Sequence, residues 1–209
     1  MNSPMITEEI LNSLREEIAT KMSEKRFEHS LGVERAAAHI GKVLLPDRVD
    51  ELRVAALLHD VTKEMDIDLQ LSYIDNCELV KKQGRCPEQA LHSFSGAAYV
   101  YVTHPELATE DILNAIMFHT LADPSMNMFA KIVFLADYIE DTRPYLDSNR
   151  IRRWLYASLA IDVPIEEKEI AFHRALCDAI DCTLRTVALR GYYVDPRTLD
   201  AKNAFKPYI

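Results

Sequence analysis

A chain of 209 residues with 48% hydrophobic content can bury a sizeable core as one domain over 1–209, and a formal charge of −9 argues against a nucleic-acid footprint. No apolar run reaches the ~18 residues needed to span a bilayer. The start MNSPMITEEI lacks a signal peptide's basic-then-apolar order, and Cys77, Cys86, Cys177 and Cys182 form no CxxC pair, so a cytoplasmic protein with free thiols, no membrane contact and no nucleic-acid partner is expected.

Only five glycines occur, against many Ala, Leu, Glu and Ile, which favours an all-α fold. Helical periodicity runs in blocks between short Pro- or Asp-containing breaks. The first block is Thr7–Met22, and Ser23 can cap a second helix reaching Leu44 before Pro46. Asp47 can cap a third, Asp47–Thr62, followed by Asp68–Cys77 and Pro87–Thr103. Thr109 opens TEDILNAIMFHT and Ser125 opens SMNMFAKIVFLADYIE. Two further helices cover Ser148–Leu159 and Ile165–Arg190, with Gly191 as the residue that ends the last. The remainder, YYVDPRTLDAKNAFKPYI, reads as a short extended or irregular tail.

The informative feature is where the histidines and two aspartates fall on these helices. His29 shares a stripe with Gly32, Val33, Ala36, Ala37 and Ile40, and so faces inward, whereas His39 sits among Arg35 and Lys42 and reads as solvated. His59 lies with Leu52, Ala55 and Ala56, and Asp60 follows it in the apolar run VAALLHDV. His119 shares a face with Ile112, Ala115 and Ile116, and Asp137 with Ala130, Val133 and Phe134. His92 shares one with Ser95, Gly96 and Tyr99, where Gly96 admits a close backbone or ligand. Any one inward histidine is more often a satisfied core residue than a ligand. Six such groups on five helices are different, because each would cost several kcal/mol if buried without a partner. A divalent cation satisfies imidazole nitrogens and carboxylates together. Tyr99, Tyr101, Tyr138 and Trp154 fit packing faces, His104 precedes a Pro in a loop, and His173 carries no signal.

The ordered set His29-Ser30-Leu31-Gly32-Val33, AALLHDVTK (55–63), LHSFSGA (91–97), AIMFHT (115–120) and MNMFAKIVFLADYIEDTR (126–143) resembles the YqeK family of HD-domain proteins. The likeness runs from Arg26 to Arg143 and extends faintly into PRTLDAKN (196–203). It implies an HD-domain helical bundle, with a metal-binding core over about 24–145 and C-terminal helices and tail over 146–209. It also implies symmetrical hydrolysis of diadenosine tetraphosphate to two ADP by a metal-activated water. Carried over by position, His29, His59, Asp60 and Asp137 would hold the metal, which the resemblance makes iron, with manganese or another divalent ion as alternatives. His92 and His119 would hold a second ion or meet a phosphate. Lys63 and Arg143 would neutralise phosphoryl oxygens, Asp60 and Lys63 would be catalytic, and His29 and Thr198 would join the substrate contacts. Glu64 and Asp66 read either as proton-relay groups or as solvated turn residues. The chain departs from the family pattern after His119-Thr120 and at Asp141, both in loops. Competing expectations are an HD phosphohydrolase acting on a nucleoside triphosphate, a cyclic nucleotide or a guanosine alarmone, and a nucleotide sensor without turnover. Monomer and homodimer both stay open.

Overall fold

The computed structural model describes residues 5–83 and 86–206. Eleven α-helices and two 3-10 turns account for the secondary structure of the described residues, with no strand among them. The helices are α1 (Glu8–Ala19), α2 (Glu24–Leu44), α3 (Val49–Leu58), α4 (Ile67–Asp75), α5 (Glu78–Lys81), α6 (Leu91–Thr103), α7 (Glu110–Met117), α8 (Met128–Ile139), α9 (Leu146–Ala160), α10 (Ile165–Leu189) and α11 (Pro196–Phe205). Among the described residues no helix is long and apolar enough to cross a membrane.

Several starts follow local capping chemistry. Thr7, Ser23 and Thr109 each accept from the backbone N–H three residues on, which satisfies a donor that an α-helix leaves unpaired in its first turn. Gly191, at φ 70°, terminates α10 in the left-handed region where a side chain would be strained.

Elsewhere the boundaries differ from the sequence reading for identifiable reasons. Asp47 caps nothing: Pro46–Arg48 form a 3-10 turn and α3 begins at Val49 without a side-chain cap. Nor does α3 reach Thr62. It ends at Leu58, and residues 59–64 tighten into turns through Val61 N–H to Leu58 O (3.2 Å) and Lys63 N–H to Asp60 O (3.0 Å). Ser125 does not open α8, because its N–H and hydroxyl both bond Asp123; Asn127 caps instead, accepting from Ala130 N at 2.9 Å. A 3-10 turn, Glu88–Ala90, precedes α6, and α5 is a single turn that periodicity did not signal. The largest correction is the tail. Residues 196–205 form α11, where Asp195 accepts from Arg197 N at 2.9 Å and Pro196 takes the first turn.

The core centres on α2 and α3, which lie side by side with α7 and α8 packed against them. α6 packs on α4 and α7, the α9–α10 hairpin closes on α8, and α11 lies on α10. Tyr99 is buried as expected, but Tyr101 is largely exposed, and Trp154 lies at the surface with the Arg174 guanidinium 5.5 Å from its ring. His39 is exposed against Tyr156, and the four cysteines are free thiols.

Candidate metal centre

The inward-facing groups converge between α2, the 59–64 turns, α6, the end of α7 and α8. His29, His59, Asp60, His92 and His119 are all nearly inaccessible to solvent. Asp60 is the hub. Its Oδ2 lies 3.5 Å from His59 Nε2 and 3.9 Å from His29 Nε2, while its Oδ1 lies 3.4 Å from His92 Nε2 and 3.3 Å from His119 Nε2. Asp137 Oδ1 lies 3.0 Å from His29 Nε2 and 4.0 Å from His59 Nε2. Two overlapping triads result, His29–His59–Asp137 and His59–Asp60–His119, each with ligand-type atoms within 4.8 Å of one another.

The ring orientations favour ligation. His59 Nδ1 is 2.6 Å from Ala56 O and His119 Nδ1 is 2.7 Å from Ile116 O. A carbonyl can only accept, so each Nδ1 carries the proton and each Nε2 presents a lone pair to the cluster. His29 Nδ1 meets a carboxylate instead, Glu140 Oε1 at 3.1 Å. Inside, His29 Nε2, His59 Nε2 and Asp60 Oδ1 are buried without a hydrogen bond of acceptable geometry. A buried polar atom without a hydrogen bond costs about 1–3 kcal/mol, a cost that the charge contacts of His29 with Asp137 and of Asp60 with Arg26 and Lys63 reduce without removing. A divalent cation would use all three, so the residues present fit one.

The proton affinities follow from burial and neighbours. Burial lowers that of His29, but the Asp137 and Glu140 carboxylates outweigh it and raise the pKa to about 9, so the cluster favours a positive charge there. Burial opposes the charge on Asp60, yet His59 and Lys63 hold its carboxyl well below the usual range. Burial, reinforced by Lys63 and His119, keeps the His92 ring neutral against the pull of Asp60.

Cations line the rim. Lys63 Nζ donates to His92 Nε2 at 2.7 Å and stands 3.6 Å from Asp60 Oδ1, while Thr120 Oγ1 approaches the same His92 nitrogen at 2.9 Å. Arg143 bonds Asp137 Oδ1 through one Nη and donates from Nε to the Asp137 carbonyl at 2.9 Å. Beside Asp137 and Arg143 opens a cavity of about 470 Å³, reaching Tyr138, Tyr145, Thr186 on α10 and Arg190 just past its end.

Lys63 is brought in by the 59–64 turns rather than by a continuing helix. Thr198 lies on α11 with its side chain buried and Oγ1 lacking a hydrogen-bond partner, so it makes no side-chain hydrogen bond to the cluster. Glu64 is exposed and ties down the start of α2, accepting from Ser23 N at 2.6 Å, while Asp66 caps α4. Gly96 does admit a backbone: a Cβ there would lie 3.4 Å from His59 O. Two residues escaped the sequence reading, Arg26, which donates to Asp60 Oδ2 at 2.7 Å, and Glu140 behind His29. The available signal was helical spacing, since Arg26 is three residues before His29 and Glu140 three after Asp137.

Comparison with known proteins gives a consistent picture. The HD domain family model matches residues 26–142. The symmetrical bis(5'-nucleosyl)-tetraphosphatase of Halalkalibacterium halodurans is 33% identical over 133 residues, covering 63% of this chain and 69% of the relative. The protein of the same name from Staphylococcus aureus is 29% identical over 147 residues, covering 70% and 75%. In structure, the chain is similar to a crystal structure described as a predicted HD superfamily hydrolase involved in NAD metabolism from Clostridium acetobutylicum. That match has a TM-score of 0.72 and 23% identity and covers 98% and 100% of the two chains.

Proposed function

The chain belongs to the HD domain family, and on that premise we propose that it hydrolyses diadenosine tetraphosphate symmetrically to two ADP. The observation that carries the reading is the buried cluster in which three ligand-type atoms lack a hydrogen bond. We assign the cation to His29, His59, Asp60 and Asp137, with His92 and His119 available to a second ion or to a phosphate. Iron is the first candidate and manganese the second. The relatives' shared name supports the substrate.

When bound, the cation supplies Lewis acidity and a nucleophile from water at neutral pH. The protein's own residues supply the rest. His59 and His119, each held through Nδ1 by a backbone carbonyl, keep their Nε2 lone pairs inward without reorganising as the reaction proceeds. Asp60 keeps its charge through His59 and Lys63, with the Arg26 guanidinium hydrogen-bonded to Oδ2, so it can bind on both sides of the cluster. Lys63 and Arg143, at opposite edges, are placed to take the charge that develops on phosphoryl oxygens. The 470 Å³ cavity beyond Arg143 is large enough to hold a nucleoside. With one ADP half held there and the second phosphate at the cluster, the oxygen of water would add to that phosphorus as its bond to the oxygen bridging to the third phosphate breaks, so that the other half leaves as ADP and both products are ADP.

The test is incubation of the iron- or manganese-loaded protein with diadenosine tetraphosphate, followed by ion-exchange separation of the nucleotides. ADP as sole product, lost on chelation and in His59→Ala, is expected. ATP with AMP would move the cleavage position, and no turnover by a metal-loaded sample would reject the substrate.

A further inference from the structure

Glu140 is 1% exposed and held from several directions. Its Oε1 lies 3.1 Å from His29 Nδ1, accepts from Thr142 Oγ1 at 2.7 Å and stands 3.6 Å from Arg143 Nε, while Oε2 accepts from Thr142 N at 2.5 Å. Arg152 clamps the backbone beneath it, donating to the carbonyls of Ile139 and Glu140 at 2.8 and 2.7 Å. The carboxylate occupies room made by Gly32 on α2. A Cβ at that position would run into Glu140 Oε2 and come within 3.2 Å of Asp141 Oδ1. Glycine inside a helix costs stability relative to alanine, and this close approach is what the missing side chain allows.

The contrast with the other imidazoles gives the arrangement its meaning. His59 and His119 are oriented by carbonyls of their own chain segment, three residues back. His29 lies in the second turn of α2, and its Nδ1 meets a charged group that follows α8, 111 residues away in sequence. A carboxylate behind an imidazole fixes the tautomer and makes the opposite nitrogen a better donor. We propose that Glu140, seated by Gly32 and Thr142, is a positioning residue that holds His29 with Nε2 as its ligand nitrogen, an assignment resting on the reading of His29 as a metal ligand.

The test is titration of the metal-free full chain with Mn²⁺, following free Mn²⁺ by electron paramagnetic resonance. Glu140→Gln and Gly32→Ala are each expected to weaken binding by roughly 10- to 100-fold. Their helical circular dichroism in chelator should match the wild type. Because both act through one carboxylate, the double variant should bind about as weakly as Glu140→Gln alone, whereas independent structural damage would multiply the losses. Thr142→Val, which removes one restraint and leaves the charge, should give a smaller loss and serves if either other variant fails to fold. Wild-type affinity in the folded variants, or multiplying losses, would overturn the role of Glu140. A wild type that takes up no Mn²⁺ would instead overturn the metal-site reading, and this inference with it.

Discussion

Lys63 sits where structural and chemical roles can be separated. Its ammonium donates to a neutral His92 ring and balances the buried Asp60, and it does so from the partly exposed rim of the cluster. If its work is charge compensation during phosphoryl transfer, Lys63→Met, which keeps most of the aliphatic stem, should lower kcat about 100-fold. Metal content should stay near that of the wild type, since Nζ is not a ligand. Steady-state kinetics beside elemental analysis of the same samples decide it: unchanged kcat would leave Lys63 only the balancing of Asp60. His59→Ala should behave oppositely and fail at metal retention, because the Nε2 lone pair it removes is turned into both triads.

Among the elements, α6 and α8 each carry part of the cluster, and their sequences suggest substitutions that distinguish stability from assembly. Asn127 accepts from Ala130 N at the start of α8, ten residues before Asp137. Asn127→Ala should therefore cost about 1 kcal/mol of stability in urea denaturation and leave turnover intact. Gly96 is different. A Cβ there meets Ile116 Cγ2 at 3.2 Å and His59 O at 3.4 Å, so larger branched side chains must push α6 from α7 and from the turn that carries His59 and Asp60. Gly96→Val should cost about 1–3 kcal/mol and also depress activity, because His92 moves with α6. Loss of stability with full activity would show that the cluster tolerates a shift of α6.

For the whole molecule, the cluster is a cost to folding that a bound cation would relieve. Buried Nε2 and carboxylate atoms without partners favour any state in which they are satisfied. At a cation concentration about 100 times the dissociation constant, binding adds roughly 2.7 kcal/mol. For a chain of this size that corresponds to a melting point roughly 5–10 °C higher. Differential scanning calorimetry with manganese and with chelator should show the difference, and His59→Ala should abolish it. Identical melting points for the wild type would mean the cluster binds no cation.

Much of this was legible in local sequence because helices encode it locally. Composition and 3.6-residue periodicity determined the all-α class, Ser23 and Thr109 marked helix starts, and the apolar neighbours of His29, His59, His119 and Asp137 turned them inward. The start signal of α11, Asp195 before Pro196, was also present, but a weakly apolar segment hid it, since its helix depends on packing Thr198, Ala201 and Phe205 against the rest of the protein. The tertiary structure alone decided which inward groups meet, that α3 stops at Leu58 so that turns deliver Asp60 and Lys63, and that Glu140 and Arg26 belong to the cluster. Periodicity states which face of a helix is buried. It cannot state what lies opposite, and a charged residue at a helix end looks solvated until another helix, with a glycine at the right position, is packed against it.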